Sequence, residues 1–311
     1  MFGTKMIKFI ELFAGIGGFR YGLESSGSYQ CVYANEWDKY AASIYRRHYG
    51  EIDESDIRDV SGAEIPEHDL LTAGFPCQDY SVAGKGAGLE GTRGTLFFDI
   101  ARILSDKKPR HFLLENVKGL LSNNDGKDFH VILGVLSDLG YRVEWMVLNS
   151  KHFGVPQNRE RVFIIGHSRN RCSGQVFPIR ETSQGIVEGN TEAPVVRALT
   201  AGGHSGGHHS GMTILKEITD NVGEGQRIYD GAGISRTIKD GGGQGAKTGM
   251  YKIGARVRRL TPVECERLQG FPDGWTSGVS DTQRYKCLGN AVTTTVIQAI
   301  GEELLKHIYK D

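Results

Sequence analysis

The side chain best suited to nucleophilic chemistry is the thiol of Cys77, in the stretch Phe75-Pro76-Cys77-Gln78. Residues 69–73 before it are apolar enough to form a short buried strand, which Gly74 and Pro76 would end. Open α/β sheets bind their ligands at the carboxyl ends of strands, and a thiolate there can attack an electrophilic carbon. The alternative is a small core thiol, because free cysteine is among the most buried residue types.

A carboxyl group and two guanidinium groups are the next candidates for chemistry. Glu115 follows the apolar run at 111–114, so we expect it at the same edge of a parallel sheet, where a carboxylic acid can donate a proton. A helix-capping or solvated carboxylate is the competing interpretation. Arg159 and Arg161 alternate at the start of a strand and can grip a carbonyl oxygen or a phosphate. A surface ion-pair ladder with Glu160 explains these arginines equally well.

These groups need a sheet to position them, and the first sixty residues predict its beginning. Residues 7–12 form a strand that enters Phe13-Ala14-Gly15-Ile16-Gly17-Gly18 and then a helix, an order that offers backbone N–H groups to an anion. Arg20 stands where the dinucleotide fingerprint needs its third glycine, which disfavours an NAD dehydrogenase. The second strand ends in Glu36-Trp37, about 20 residues after the glycines, where a carboxylate can hold ribose hydroxyls. This favours an adenosine-containing cofactor over a solvated carboxylate.

Glycine marks two further segments of the chain. Residues 84–94 form a loop that is long for a compact domain and can close over a ligand as a lid. Beyond residue 171 the chain is rich in Gly, Ser, Thr and His, and a unit at 197–203 recurs at 236–242. This pattern predicts a surface that moulds to an extended partner. A zinc site built from His204, His208 and His209 is disfavoured, because no thiol lies near them.

The composition limits the class of protein. Lys+Arg and Asp+Glu balance at 37 each among 311 residues, so any basic surface must come from local clusters such as the arginines at 256–259. Five scattered cysteines without a C-x-x-C pair argue against a disulfide framework and for a reducing compartment. No charged-then-apolar leader opens the chain, and no apolar run approaches the ~18 residues of a membrane span. We therefore expect a cytoplasmic protein without membrane contact.

Five motifs, in order and over nearly the whole chain, resemble those of the DNA (cytosine-5) methyltransferases, above all the small bacterial restriction–modification enzymes. The motifs are Phe13-Ala14-Gly15-x-Gly17-Gly18, Pro76-Cys77-Gln78, Glu115-Asn116-Val117, Gln157-x-Arg159-x-Arg161 and Gly289-Asn290-x-Val292. Each motif alone is a weak signal, whereas five in this order are highly specific.

The resemblance implies a role for each matching residue. Cys77 would add to C6 of cytosine, Glu115 would hold N3, Arg161 would contact O2, and Arg159 would help to shape the pocket. The implied cofactor is S-adenosyl-L-methionine, and its matching positions are Phe13, Gly15, Gly17, Gly18, Glu36, Trp37, Asp56, Ile57, Pro76, Leu96 and Asn290. The implied partner is double-stranded DNA, with no metal. The matching DNA positions are Gln78, Ser81, Lys85, Glu224, Arg227 and Thr237, and Arg227 is a candidate for bidentate contact with a guanine.

The implied fold is α/β, a doubly wound and mostly parallel sheet with a smaller β-rich target-recognition domain across a cleft. We expect the catalytic and cofactor-binding domain at 1–171, the target-recognition domain at 172–262, a hinge at 263–288 and a closing helix at 289–311 that returns to the first domain. A monomer in a bacterial or phage-infected cytoplasm is the expected state. Because C5 and C6 are hidden in a duplex, the target base must be extruded.

Departures from the family pattern and two alternatives leave details open. Glu224 stands where the pattern has Gln in the loop that fills the vacated stack, and Ala83 stands where it has Ser. The recognised DNA sequence and the mode of base extrusion are therefore not fixed by the resemblance. An RNA methyltransferase of the same fold is one alternative. A catalytically silent binding protein is the other, and the joint presence of Cys77, Glu115, Arg159 and Arg161 argues against it.

Overall fold

A computed structural model describes residues 6–75, 96–169, 174–179, 228–230, 235–238, 250–253 and 256–308. Its centre is a six-stranded sheet that carries Glu115 and Arg161. The strands are β1 (Ile7–Leu12), β2 (Tyr29–Asn35), β3 (Leu70–Gly74), β4 (His111–Val117), β5 (Tyr141–Asn149) and β7 (Glu160–Ser168), and the two-residue β6 (Gln157–Asn158) lies between the last two. Their order in the sheet is β2-β1-β3-β4-β7-β5, without β6, and only β7 is antiparallel to the other strands. The expected doubly wound, mostly parallel sheet is confirmed.

Seven α-helices accompany the strands in the described part of the chain. They are α1 (Gly18–Glu24), α2 (Lys39–Tyr49), α3 (Leu96–Lys107), α4 (Lys127–Asp138), α5 (Pro262–Leu268), α6 (Asp281–Asn290) and α7 (Thr294–Ile308). The helices α5 and α6 occupy the segment expected to be a hinge. None of the described helices is both long and apolar enough to cross a membrane.

Successive side chains of a strand point in opposite directions, so the strands send apolar side chains to both faces of the central sheet. Helices cover both faces. One face packs against α3 and α4 and is formed by Ile10, Leu12, Leu71, Ala73, Phe112, Leu114, Val162 and Ile164. The other packs against α1 and α7 and is formed by Ile7, Phe9, Leu70, Leu113, Phe163 and Ile165. Each Val, Leu, Ile or Phe among these side chains contributes about 1.5–3 kcal/mol when fully buried. Two apolar faces thus hold the strand ends in fixed positions.

The closing part of the chain differs from the sequence expectation in one respect. We expected Gly289-Asn290 to lead the last helix, but these residues end α6, and α7 begins only at Thr294. Ala291 has an extended backbone with ψ 146°, which interrupts the helical path. After this break, α7 buries Val296, Ile300 and Leu304 at i, i+4 spacing.

Outside the central sheet lies a smaller one. It consists of β8 (Ile228–Asp230), β10 (Met250–Ile253) and β11 (Arg256–Arg258), in the order β11-β10-β8. The strand β9 (Ser235–Arg236) pairs instead with β6, in parallel. The β-rich part of the chain is therefore joined to the segment that precedes Arg161.

A fully buried carboxyl group lies at the end of β1. Glu11 accepts hydrogen bonds through Oε1 from the backbone N–H groups of Phe19 (3.1 Å) and Arg20 (3.4 Å), at the start of α1. Its Oε2 has no hydrogen-bond partner. Burial raises the pKa of Glu11 to about 8. The neutral acid is therefore the form that suits the folded protein at neutral pH.

Glu11→Gln is expected to stabilise the protein more as the pH rises. The folded-state pKa lies above the ordinary 4.5, so this group's contribution to stability is complete below about pH 4.5 and is lost as the pH rises through 8. Glutamine mimics the neutral acid and cannot ionise. The difference in unfolding free energy between variant and wild type should shift in the variant's favour by on the order of 3 kcal/mol from pH 5 to pH 9. Chemical denaturation at several pH values measures it, and a pH-independent difference would contradict a neutral Glu11.

Candidate active site

The carboxyl ends of β3 and β4 bring the predicted catalytic segments together. Gly74 is paired with Glu115 in the parallel ladder, and a side chain at position 74 would begin 3.4 Å from Glu115 Oε2. Asn116, which is buried, donates from Nδ2 to the carbonyl oxygen of Phe75 at 2.8 Å. This bond fixes the strand end two residues before Cys77 in the sequence. Sequence reasoning gave Asn116 no role of its own, although it lies within a quoted motif.

Glu115 and Arg161 form an ion pair at this edge of the sheet. The Nε of Arg161 lies 2.9 Å from Glu115 Oε1, and the two side chains are 15% and 11% exposed. The antiparallel pairing of β4 with β7 sets Arg161 opposite Val117, from where its side chain reaches back to Glu115. A carboxyl group beside a guanidinium group can bind a planar ring that presents a nitrogen and a carbonyl oxygen on one edge.

Arg159 has different partners from Arg161. Its side chain is 1% exposed, and its guanidinium group donates to the carbonyl oxygens of Ile238 (3.1 Å), Gly289 (3.0 Å) and Ala291 (2.8 Å). These hydrogen bonds place it in the junction between three segments of the chain. The side chain of Arg159 is therefore not placed for direct contact with a substrate. Its role in shaping the pocket stays a prediction.

A cavity of about 170 Å³ lies at the carboxyl ends of β1 and β2. Trp37 lines it and is 69% exposed. Asp56 accepts a hydrogen bond from Arg58 Nε at 2.9 Å, and this partner lowers the pKa of Asp56 to about 2. Two lining residues, Asn35 and Arg58, were missed from the sequence, although Asn35 directly precedes Glu36. The full lining is Phe13, Asn35, Trp37, Asp56, Ile57, Arg58 and Leu96.

The glycine turn between β1 and α1 is fixed by Glu36. The carboxylate of Glu36 accepts from the backbone N–H of Gly15 at 2.8 Å and from that of Asp38 at 2.8 Å. Burial raises its pKa, and these two N–H groups oppose the rise. Gly15 and Gly17 have φ angles of +57° and +84°, in the left-handed region that favours glycine. The carboxylate expected to hold a ribose thus also shapes the turn beside it.

The first and last motifs touch each other. A side chain at Gly18 would meet Val292 Cγ1 at 2.7 Å, so only glycine allows this close approach. Asn290, an exposed residue, lies between the two carbonyl groups that Arg159 holds. Thr237 donates from its hydroxyl to the carbonyl oxygen of Asn158 at 2.7 Å, against β6.

Several predicted site residues lie outside the described part of the chain. They are Pro76, Cys77, Gln78, Ser81, Lys85, Glu224 and Arg227, together with the histidines at 204, 208 and 209. Among the residues that are described, no group of three or more His, Cys, Asp and Glu side chains is arranged to hold a metal ion.

Comparison with known proteins decides the family. A family model described as C-5 cytosine-specific DNA methylase matches residues 7–306. The chain belongs to this family. It is accordingly a DNA (cytosine-5) methyltransferase, as the five motifs predicted, and the family transfers methyl groups to cytosine.

Sequence similarity to individual relatives supports the same family assignment. The Type II methyltransferase M.HhaI of Haemophilus parahaemolyticus is 41% identical over 94% of this chain and 93% of its own length. M.HaeII of Haemophilus aegyptius is 40% identical over 98% of this chain and 94% of its own length. A crystal structure of S. pombe Dnmt2 methyltransferase aligns with a TM-score of 0.70 at 20% identity, over 97% of this chain and 99% of that one. The last comparison concerns the fold alone.

Proposed function

We propose that the chain transfers the methyl group of S-adenosyl-L-methionine to C5 of a cytosine extruded from double-stranded DNA, through a covalent bond between Cys77 and C6. The observation that carries this proposal is the Glu115–Arg161 ion pair at 2.9 Å, beside the strand end that Asn116 fixes ahead of Cys77. The pair offers groups that match N3 and O2 on one edge of cytosine.

The cavity at the ends of β1 and β2 fits the adenosine part of the cofactor. Ile57 and Leu96 supply apolar walls, the exposed indole of Trp37 offers a face for the adenine, and Glu36 can accept from the ribose hydroxyls. Phe13, which lies at the start of the glycine turn, also lines the cavity. When bound, the cofactor supplies an electrophilic methyl group on a sulfonium sulfur.

The chain's own groups make C5 of cytosine reactive. The carbon is a poor nucleophile until the thiolate of Cys77 adds to C6 while a proton reaches N3. In its protonated form Glu115 would supply that proton, and Arg161 can donate to O2, where negative charge develops. After C5 has gained its methyl group, it loses its proton to solvent, the electrons of that C–H bond form the C5–C6 double bond and expel Cys77 as the thiolate, and N3 returns its proton to Glu115. The ring is then aromatic again.

DNA recognition is proposed for the loops on either side of this site. C5 and C6 are inaccessible in a stacked duplex, so the target base must leave the helix at a cost of a few kcal/mol. Gln78, Ser81 and Lys85 would contact DNA from one side, with Glu224, Arg227 and Thr237 on the other. Since its relatives carry the name Type II methyltransferase, we propose that the chain acts as a monomeric modification enzyme in a bacterial cytoplasm.

Methyl transfer by the purified protein tests the function directly. Duplex DNA of mixed sequence is incubated with S-adenosyl-L-methionine that carries a labelled methyl group, and the nucleosides are separated after digestion. We expect the label only in 5-methylcytosine, and sequencing of the methylated positions gives the DNA recognition sequence. Label in RNA of matching sequence but not in the duplex, or in another base, would contradict the proposal.

Trp37→Ala is expected to weaken cofactor binding about tenfold or more. Stacking of a base on an aromatic ring is worth about 1–3 kcal/mol, and the indole of Trp37 is open to a ligand. The matched control is Trp145→Ala, because Trp145 is 45% exposed on the edge strand β5 and is not part of the cavity. Calorimetric titration with S-adenosyl-L-homocysteine measures both variants. Equal affinity in both variants would place the adenine elsewhere.

A further inference from the structure

The junction between the central sheet and the β-rich part contains a buried polar cluster that extends beyond Arg159. Gln157, Arg159, Gln269 and Thr293 are each at most 2% exposed, and we call these four residues the junction network. Buried polar side chains of this kind are nearly always hydrogen-bonded. The partners of the junction network therefore show which parts of the protein it holds together.

One side of the junction network holds the segment that follows β9. The backbone N–H of Ile238 donates to Gln157 Oε1 at 3.3 Å, and the carbonyl oxygen of Ile238 accepts from Arg159 at 3.1 Å. Thr237, a proposed DNA contact, is the preceding residue. Both backbone groups of Ile238 are thus held by side chains from the segment that leads to Arg161.

The other side of the junction network holds the turn around Asn290, a proposed cofactor contact. Arg159 donates to the carbonyl oxygens of Gly289 at 3.0 Å and Ala291 at 2.8 Å. Gln269 donates from Nε2 to the same Ala291 oxygen at 3.1 Å. The backbone on either side of Asn290 is therefore fixed by the guanidinium group that also holds Ile238.

The two sides are joined through a glutamine pair. Gln157 Nε2 lies 3.4 Å from Gln269 Oε1, which also accepts from the hydroxyl of Thr293 at 2.8 Å. Ser150 in turn donates to that hydroxyl at 2.8 Å. Because these groups are shielded from water, none can lose a partner without a penalty. A displacement of Ile238 must therefore move the turn around Asn290, or break buried hydrogen bonds.

We propose that the junction network couples DNA binding to cofactor binding: the position that Ile238 takes with a target duplex sets the position of Asn290. This inference rests on the proposed function, since DNA and S-adenosyl-L-methionine are its two ligands. Gln157, Gln269 and Thr293 act as positioning residues that touch neither ligand. By thermodynamic linkage, the factor by which DNA tightens cofactor binding equals the factor by which the cofactor tightens DNA binding.

The coupling factor is measurable as a ratio of two affinities. Calorimetric titration with S-adenosyl-L-homocysteine gives its Kd without DNA and with a saturating duplex. This duplex contains the DNA sequence that the protein is found to methylate. We expect wild type to bind about 5–150-fold more tightly with the duplex, the usual range of such couplings. In Thr293→Val the hydroxyl is lost at nearly constant volume. The ratio should then fall by about twofold to tenfold, as for one buried hydrogen bond.

Thr276→Val is the matched control for a merely structural effect. Thr276 is also fully buried, but its hydroxyl donates to Glu266 on α5 instead of to the junction network. We expect this variant to melt at a lower temperature and to keep the wild-type ratio. Ser150→Ala, which removes the bond to the Thr293 hydroxyl, decides the matter if Thr293→Val does not fold.

The outcomes separate this inference from the proposed function. A wild-type ratio of one, or an unchanged ratio in Thr293→Val or its substitute, would overturn the coupling. An equal fall in the Thr276→Val ratio would also overturn it, because the effect would then follow stability alone. A wild-type protein that binds neither S-adenosyl-L-homocysteine nor any duplex would instead contradict the proposed function.

Discussion

Cys77→Ala is expected to abolish methyl transfer, with kcat lower by on the order of 10⁴–10⁶-fold, a loss typical of removing a covalent nucleophile. Without the thiol nothing adds to C6, so C5 never becomes nucleophilic. Single-turnover assays with labelled S-adenosyl-L-methionine measure the chemical step apart from product release. Cofactor affinity should stay near the wild-type value, because the described cavity is lined by other residues.

A second cysteine serves as the control for the Cys77 prediction. Cys265 is fully buried among apolar side chains, and burial raises the pKa of its thiol to about 12, so it is unsuited to act as a nucleophile. Cys265→Ala should keep most of the activity at a cost in stability. Near-normal turnover in Cys77→Ala would rule out the covalent mechanism.

Glu115→Gln is expected to lower kcat by about 10²–10⁴-fold, the usual contribution of a general acid. The amide can still hydrogen-bond to a base, but it cannot supply a proton to N3. It also removes the carboxyl group that lies 2.9 Å from Arg161 Nε. The KM for DNA should change far less than kcat, because most of the binding surface lies elsewhere.

Glu160→Gln provides the matched control on the neighbouring strand. Glu160 forms an exposed ion pair with Lys118 at 3.0 Å, and such pairs contribute little to stability. This variant should retain nearly wild-type kcat. If Glu115→Gln and Glu160→Gln lost activity to the same small extent, Glu115 would not be the proton donor.

The sheet and its catalytic edge were predictable because their signals are local. The apolar runs that became β3 and β4 are ended by Gly74 and Glu115, and parallel strands put those ends side by side. Gly74 and Glu115 are thus neighbours because each of them ends an apolar strand, which the local sequence already indicates. The glycine turn and Glu36 follow the same logic at the ends of β1 and β2.

The partners of Arg159 could not be predicted in this way. Its guanidinium group binds carbonyl oxygens 79, 130 and 132 residues away in the sequence. A carbonyl oxygen is common to every residue, so no residue type marks these acceptors. Alternation with Arg161 suggested a shared face and a shared ligand, whereas tertiary packing gave the two arginines different partners. The break between α6 and α7 was missed because the i, i+4 spacing of Val296, Ile300 and Leu304 extends back to Val292, before α7 begins.

A trapped covalent adduct is the measurement that tests the central claim most directly. In a duplex with 5-fluorocytosine at the target position, the C5 proton that must leave is replaced by fluorine, so the bond to C6 cannot be released after methyl transfer. Incubation with S-adenosyl-L-methionine, digestion and mass spectrometry should give one DNA-linked peptide, with the methylated base attached to Cys77. Complete methylation activity on ordinary DNA with no such adduct, or an adduct at another residue, would contradict the account.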